Sequence, residues 1–364
     1  MKVFCERCGC DDLKYFVYLN GNYQCRRCIA YQGQEGESLS FEADIIDQFD
    51  FKLKKKKKAV STQIYEASLK GNVLVHAVCG AGKSELIVET ISHYLSQHKK
   101  VGIAIARRQV VLELAKRYQA IYPQLKVTAV CEGYTKDLSG QLMITTAHQL
   151  YRFHKQFDCL IIDEPDAFPY STDPVLQGFA QQACTGVRIY LTATPDKKVK
   201  EIAPFTIQLF KRPHSFPLPV PKVRHLSKFL QIVWLFVHLQ KISKPTLIFV
   251  PSIKWGKQIS FILKIPFIYA SHPEIDRHIL DFKEGRINPL LCTSILERGV
   301  TFINVQVIIL EANHPVFNLA SLIQIAGRVG RHFNYPEGEV TFLCSEMTST
   351  IKTCIKEIQK ANAA

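Results

Sequence analysis

Long apolar runs are missing from this 364-residue chain. No stretch reaches the roughly 18–20 consecutive apolar residues of a membrane span. The best candidate, 229–239, is interrupted by Gln231 and His238 and reads as a buried helix. The opening, MKVFCERCGC, lacks the apolar core of a signal peptide, so a cytosolic location is expected. Short internal repeats are absent too. With 47% apolar and 21% charged residues, disorder and collagen-like repeats are excluded as overall descriptions.

Acidic residues are in deficit: 32 Asp and Glu stand against 46 Lys and Arg, for a net charge of +14. The excess is spread out, at +2 over residues 1–60, +5 over 61–212 and +7 over 213–364. An extended anion-binding surface fits this better than one basic arm, and a polyanionic partner is favoured.

Twelve cysteines are present, and four form two pairs: Cys5-x-x-Cys8 and Cys25-x-x-Cys28. Two such knuckles complete a tetrahedral thiolate shell, so residues 1–35 read as a structural zinc ribbon with no open coordination position. A redox dithiol is the competing reading, and Cys10 is a spare thiol and alternative ligand. The other cysteines lie mostly in apolar runs and read as small buried hydrophobes. In so small a module the metal supplies much of the folding energy, roughly 10–16 kcal/mol in finger-like peptides.

Residues 36–50 then carry five acidic and no basic side chains, and 51–60 carry six lysines (Lys52 and Lys54 to Lys58). This flip reads as a charged linker over 36–60. The lysines are either a solvated segment or a phosphate contact.

From residue 61, short β-branched runs alternate with helical patterns, as a parallel sheet covered on both faces requires. Strands are expected at 73–78, 101–106, 126–131, 142–147, 159–163 and 187–193. The Pro-rich stretch 211–222 interrupts the series and reads as a linker, placed at 213–222 between domains 61–212 and 223–364. A second series follows at 246–251, 267–270, 289–294, 305–310 and 338–343. The predicted fold is α/β: two parallel-sheet domains of similar size in tandem behind the ribbon.

The first strand runs into Cys79-Gly80-Ala81-Gly82-Lys83-Ser84 and a helical pattern, the strand–loop–helix setting of a phosphate-binding loop. Backbone N–H groups of Gly80, Ala81 and Gly82 would cradle phosphates, Lys83 would reach the β/γ-phosphates, and Ser84 would ligate Mg²⁺. Ala77 replaces the usual first glycine. About 80 residues on, Asp163-Glu164-Pro165-Asp166 ends a buried strand, where an α/β sheet places its ligand. Asp163 would share the Mg²⁺ shell and Glu164 would orient or deprotonate the attacking water. Thr192-Ala193-Thr194-Pro195 offers two hydroxyls to relay the presence of a γ-phosphate. In the second domain, 324–331 (QIAGRVGR) places Arg328 and Arg331 three apart on one helical face. Arginines of this kind are worth roughly 10³–10⁵ in rate when they reach the transferring phosphoryl group.

Taken in order and spacing, Gln63 through Arg331 resembles superfamily 2 helicases, which implies that the two parallel-sheet domains are RecA-like. The ribbon, CGAGKSE, DEPDAFPY, LTATP, LPVP, ILERGVTF and QIAGRVGR together resemble the late-competence ComFA family, which is related to the replication-restart helicase PriA. The resemblance implies an ATP-dependent single-stranded DNA motor, a DNA-stimulated ATP hydrolase that powers uptake of transforming DNA through a membrane channel. ATP, Mg²⁺ and Zn²⁺ are the implied cofactors. The channel and other competence proteins are the implied partners, with a cytoplasmic or peripheral inner-membrane location. It further implies that Gln63 reads adenine, that Gln324 joins the catalytic set, and that Gly299 contacts nucleotide. DNA backbone contacts are implied for Arg107, Arg108, Thr146, His148, Ser252, Thr293 and Ser294, without base preference and with marked salt dependence. A surface charge at the start of a helix is the other reading of Arg107 and Arg108. Pro165 stands where many relatives carry an aliphatic residue, while Thr301 and Gln324 replace an Asp and a His of DEAD-box RNA helicases and weigh against an RNA helicase. The alternatives are a duplex-unwinding repair or restart helicase, an RNA helicase, and a non-enzymatic zinc scaffold clamped by nucleotide.

Overall fold

The structure is a computed structural model that describes residues 3–19, 21–38, 55–210, 212, 216–297 and 300–363, the side chains of 55–57 excepted. It divides into two compact units: residues 1–77 with 83–208, and residues 78–82 with 209–364. Arg298, Gly299, most of the charged linker and Lys52 and Lys54 lie outside the described residues.

The first unit opens with a hairpin, β1 (Phe16–Leu19) and β2 (Asn22–Cys25), and a short β3 (Glu37–Ser38). Then come α1 (Lys55–Ser68), β4 (Val73–Ala77), α2 (Lys83–Leu86), α3 (Val88–Ser96), β5 (Val101–Ile105) and α4 (Arg108–Ile121). The unit continues through β6 (Val127–Val130), β7 (Ser139–Gly140), β8 (Leu142–Thr146), a 3-10 turn (Ala147–Arg152) and β9 (Phe157–Asp163). It closes with α5 (Pro174–Ala183), β10 (Cys184–Thr192), α6 (Lys197–Ile202) and β11 (Phe205–Leu209).

Seven strands form one sheet in the order β11-β4-β10-β9-β5-β8-β6. The pairs from β4 to β6 are parallel. β5 and β8 are buried at every residue, as strands covered on both faces must be. The chain leaves β4 but returns as β5 three positions away, with β10 and β9 between them. The carboxyl ends of β4, β10 and β9 therefore lie side by side at a change of direction, where such sheets bind ligands.

The ribbon is packed onto this unit instead of standing apart from it. Cys8, Cys10 and Cys28 share a buried cluster with Leu150, Phe153 and Phe179. The Tyr31 ring meets Phe179 edge-on at 4.9 Å and lies 5.8 Å from Tyr151. Arg152 donates to the Gln34 carbonyl at 2.6 Å, Tyr151 to that of Gln32 at 3.0 Å, and Gly36 N–H to that of Arg152 at 2.8 Å. β3 pairs in parallel with β7. The expected linker over 36–60 thus contains a strand, and helix α1 already begins at Lys55. Physically, a ribbon of this size has too little apolar surface to close on itself and completes its core on α5 and the 3-10 turn.

The second unit runs β12 (Lys222–His225), α7 (Lys228–Leu239), β13 (Thr246–Phe249), α8 (Ile253–Leu263), β14 (Phe267–Ile268) and α9 (Ile275–Lys283). It continues as β15 (Leu290–Cys292), a 3-10 turn (Ser294–Leu296), β16 (Gln306–Ile309), α10 (Leu319–Ala326), β17 (Val340–Cys344) and α11 (Ser349–Ala363). Its sheet is parallel throughout, in the order β12-β17-β16-β13-β15-β14. Both sheets have the RecA-like arrangement expected. The buried-helix reading of 229–239 is corrected: α7 forms there, but only Gln231 and Leu235 are buried. Phe229, Val233 and Phe236 are 73%, 42% and 54% exposed. The run is apolar all round, and the sheet covers only one side of it. Among the described residues no helix is long and apolar enough to cross a membrane.

Candidate nucleotide and metal sites

In the loop after β4, Gly80 and Gly82 both hold left-handed backbone, with φ of 81° and 80°. Side-chain-bearing residues strain there, so the glycines are required by the curl of the loop. α2 begins at Lys83, and the Lys83 Nζ lies 3.9 Å from Glu164 Oε1, both largely buried. Glu164 follows the last residue of β9 and has φ +55°, an uncommon conformation for a non-glycine residue. Its N–H is held by the Leu191 carbonyl of β10 at 2.8 Å.

Asp166 is clasped by both hydroxyls of the TATP segment. Thr192 Oγ1 donates to Oδ1 at 2.5 Å and Thr194 Oγ1 to Oδ2 at 2.7 Å, while Thr194 N–H donates to Thr192 Oγ1 at 2.9 Å. The acidic segment and the hydroxyl pair are thus one hydrogen-bonded unit. Ser84 and Asp163 bring a hydroxyl and a carboxylate, the hard oxygen donors that suit Mg²⁺. Sequence reasoning missed Arg117, whose guanidinium donates to Ser84 Oγ at 3.1 Å and pairs with Glu85 at 2.9 Å. It missed Tyr118 too, whose hydroxyl donates to the Ser84 carbonyl at 2.8 Å. Both lie on α4 with no local motif; only the fold brings them to the loop. Gln63 is exposed on α1, while its neighbour Ser61 bonds the Leu86 carbonyl at 2.5 Å.

Of the backbone-contact candidates, Arg107 occupies the N-cap position of α4, and Arg108 donates to the Glu132 carbonyl at 2.9 Å. Thr146 is buried at the end of β8, and His148 is half-buried in the turn that follows. Burial lowers the His148 pKa below its usual 6.5, against an opposing pull from Asp173. In the second unit Ser252 caps α8 by accepting from Trp255 N–H at 3.2 Å. Thr293 occupies the N-cap position of the 3-10 turn that holds Ser294.

Gln324 and Arg328 are each 1% exposed. Arg328 donates to the carbonyls of Glu297 (3.2 Å) and Val300, so it ties these two residues to the stretch after α10. Arg331 donates through Nε to the Gly327 carbonyl at 2.8 Å and is only partly buried. Arg212, which the sequence assigned to no site, is 3% exposed. Its guanidinium serves the carbonyls of Gly327 (3.0 Å), Val329 (2.8 Å) and Gly330 (2.9 Å), which follow α10. Burial, with Arg331 nearby, pulls its pKa down to about 10.

The ribbon brings Cys5, Cys8, Cys25 and Cys28 together, with all four sulfurs within 4.8 Å of one another. Cys5 and Cys28 sulfurs are 3.6 Å apart and those of Cys8 and Cys25 3.8 Å, and none is in a disulfide. A tetrahedron with Zn–S bonds of about 2.3 Å has edges of about 3.8 Å, so the thiols fit zinc. Hydrogen bonds from Cys28 and Cys8 lower the Cys5 pKa against the opposing effect of burial; donating to Cys5 raises that of Cys28, and for Cys8 a lowering bond with Cys28 is outweighed by the bond to Cys5 and burial. Cys10 lies outside the four.

Residues 43–197 match the family described as type III restriction enzyme, res subunit, and 222–333 match the helicase conserved C-terminal domain. Among solved structures, the chain is similar to S. cerevisiae Dbp5 bound to RNA and ADP BeF3 (TM-score 0.64, 17% identity, 85% of this chain and 92% of that one). It is also similar to the Mycobacterium smegmatis helicase Lhr bound to ssDNA and AMP-PNP (TM-score 0.61, 16% identity, 83% and 48%). These show a shared fold. The "Competence protein ComFA" of Streptococcus pneumoniae (strain ATCC BAA-255 / R6) is 34% identical over 99% of this chain and 90% of its own. That of Bacillus subtilis (strain 168) is 34% identical over 98% and 85%. A four-thiol ribbon on a helicase core, matched in sequence nearly end to end, places the chain in the ComFA family of competence proteins, with superfamily 2 helicase domains.

Proposed function

We propose that this protein is an ATP-driven motor on single-stranded DNA that supplies the pull for uptake of transforming DNA. The observation that carries the reading is the cluster at the carboxyl ends of adjacent strands: Lys83 against Glu164, and Asp166 clasped by Thr192 and Thr194. Lys83 and the loop amides neutralise phosphate charge. Glu164 turns the attacking water and takes its proton. Ser84 and Asp163 would hold Mg²⁺, which supplies charge neutralisation at the phosphates. In the second unit Arg331 is the guanidinium offered to the phosphoryl group, and Arg328 holds the carbonyls of Glu297 and Val300.

Pulling requires that ATP bind one arrangement of the two units more tightly than another; otherwise hydrolysis moves nothing. By reciprocity, DNA that favours the same arrangement accelerates turnover. The test is phosphate release measured with single-stranded DNA, duplex DNA and RNA at one salt concentration. Strong stimulation by single-stranded DNA is expected, with little by the others and no displacement of a strand from a forked duplex. Equal stimulation by RNA, or efficient strand displacement, would replace this reading with one of the other helicase types. The absence of any phosphate release would favour a nucleotide-clamped scaffold.

A further inference from the structure

The hairpin of the ribbon exposes rings that its small core does not need. Tyr18 and Tyr23 face each other across β1 and β2 in edge contact at 5.0 Å, 61% and 53% exposed, and Phe4 is 52% exposed. Tyr23 and Phe4 line a groove of about 590 Å³ together with Cys5, Cys25 and Cys28 of the four-thiol cluster. Far larger than one metal ion, it runs on to Tyr151 and His154 of the ATPase domain. His154 Nδ1 is buried there without a hydrogen-bond partner among the described residues. In a 3-10 turn, residues three apart eclipse one another. Tyr151 therefore stands on the same face of the 147–152 turn as His148, a candidate DNA contact.

We propose that this groove receives unpaired bases of the single strand as it leaves the His148 segment, with Tyr23 and Phe4 as stacking faces; this rests on the DNA-motor reading. Charge decides the mode of binding. Arg7 in the groove is opposed by Glu6 and Glu35, and its guanidinium is already engaged by the Tyr31 carbonyl at 2.6 Å. Phosphates gain little there. Bases gain a π-face to stack on, and the amides of Gln24 and Gln32 can meet a base edge. A ring contact of this kind is tolerant of sequence and, unlike phosphate contacts, releases no counterions.

The test measures the affinity of full-length, zinc-loaded protein for a labelled oligo-dT by fluorescence anisotropy at several salt concentrations. Tyr23→Ala and Phe4→Ala should each weaken binding by about 5- to 150-fold, the range of one lost base stack. The slope of affinity against salt should stay unchanged, and so should the zinc content. Tyr23→Trp should restore affinity. An oligomer with abasic positions, which keeps the phosphates, should bind wild type more weakly and Tyr23→Ala no worse than the intact oligomer does. Unchanged affinity in both alanine variants, or a loss that appears only in the salt slope or only with zinc loss, overturns the groove proposal. If wild type binds no oligo-dT at all, it is the motor reading that fails.

Discussion

At the scale of single residues, the phosphate loop and the acidic strand end form a connected set. Lys83→Ala should cut ATP turnover by at least about 10²-fold, as loss of one charge-stabilising donor does elsewhere. Phosphate release at saturating DNA is the readout, and unchanged turnover would refute the loop assignment. Arg212 is a buried cation that serves three carbonyls after α10. Arg212→Met leaves those acceptors dry at about 1–3 kcal/mol each, so urea unfolding of the second unit should shift by about 3 kcal/mol or more. His148 allows a pH test with a definite sign. Its folded pKa lies below the usual 6.5, so the unfolded chain takes up the proton first as pH falls. Stability is therefore lost below about pH 6.5, at no more than about 1.4 kcal/mol per pH unit. His148→Gln should flatten the fall in melting temperature between pH 7.5 and 5.5. A neutral imidazole adds no charge at pH 7, so the same variant should leave the salt slope of DNA binding intact.

At the scale of elements, the contact between α5 and the ribbon is the most exacting. A methyl group on Gly178 would come within 2.0 Å of the Cys8 carbonyl, a backbone atom that cannot give way. Gly→Ala inside a helix ordinarily stabilises by about 1 kcal/mol. Gly178→Ala is expected to do the reverse and to hasten zinc loss to a chelator; slower loss would show that the ribbon rides loosely on α5. This docking left no trace in the sequence, because Tyr31, Tyr151 and Phe179 are ordinary apolar positions until the fold superposes them. The strands of both sheets were legible because buried β-branched runs leave few other options. The edge strands β11 and β12 were not: their alternating or exposed residues carry no such signal. α7 misled for a related reason, since composition reports how apolar a helix is and says nothing about how many neighbours it has. The nucleotide loop, acidic pair and four thiols were readable because spacing along one short segment already sets their geometry. Arg117, Tyr118 and Arg212 act across distant segments and were invisible.

At the scale of the whole molecule, the spread of a +14 charge and the shared core of ribbon and ATPase domain govern behaviour. DNA affinity should fall steeply as salt rises, linearly on logarithmic axes. Cys25→Ser should release the metal and also lower the unfolding midpoint of the first unit, because Tyr31, Tyr151 and Phe179 lose their packing; the second unit should keep its own transition. An unchanged first transition would mean that the docked ribbon adds nothing to that core. The same docking has a bearing on how the chain is made. The four thiols leave the ribosome before the α5 face that shelters them, which is encoded about 145 residues after the last of them. At roughly 5–20 residues per second, they wait on the order of ten to thirty seconds, and early capture of metal is what would shield them from oxidation during synthesis.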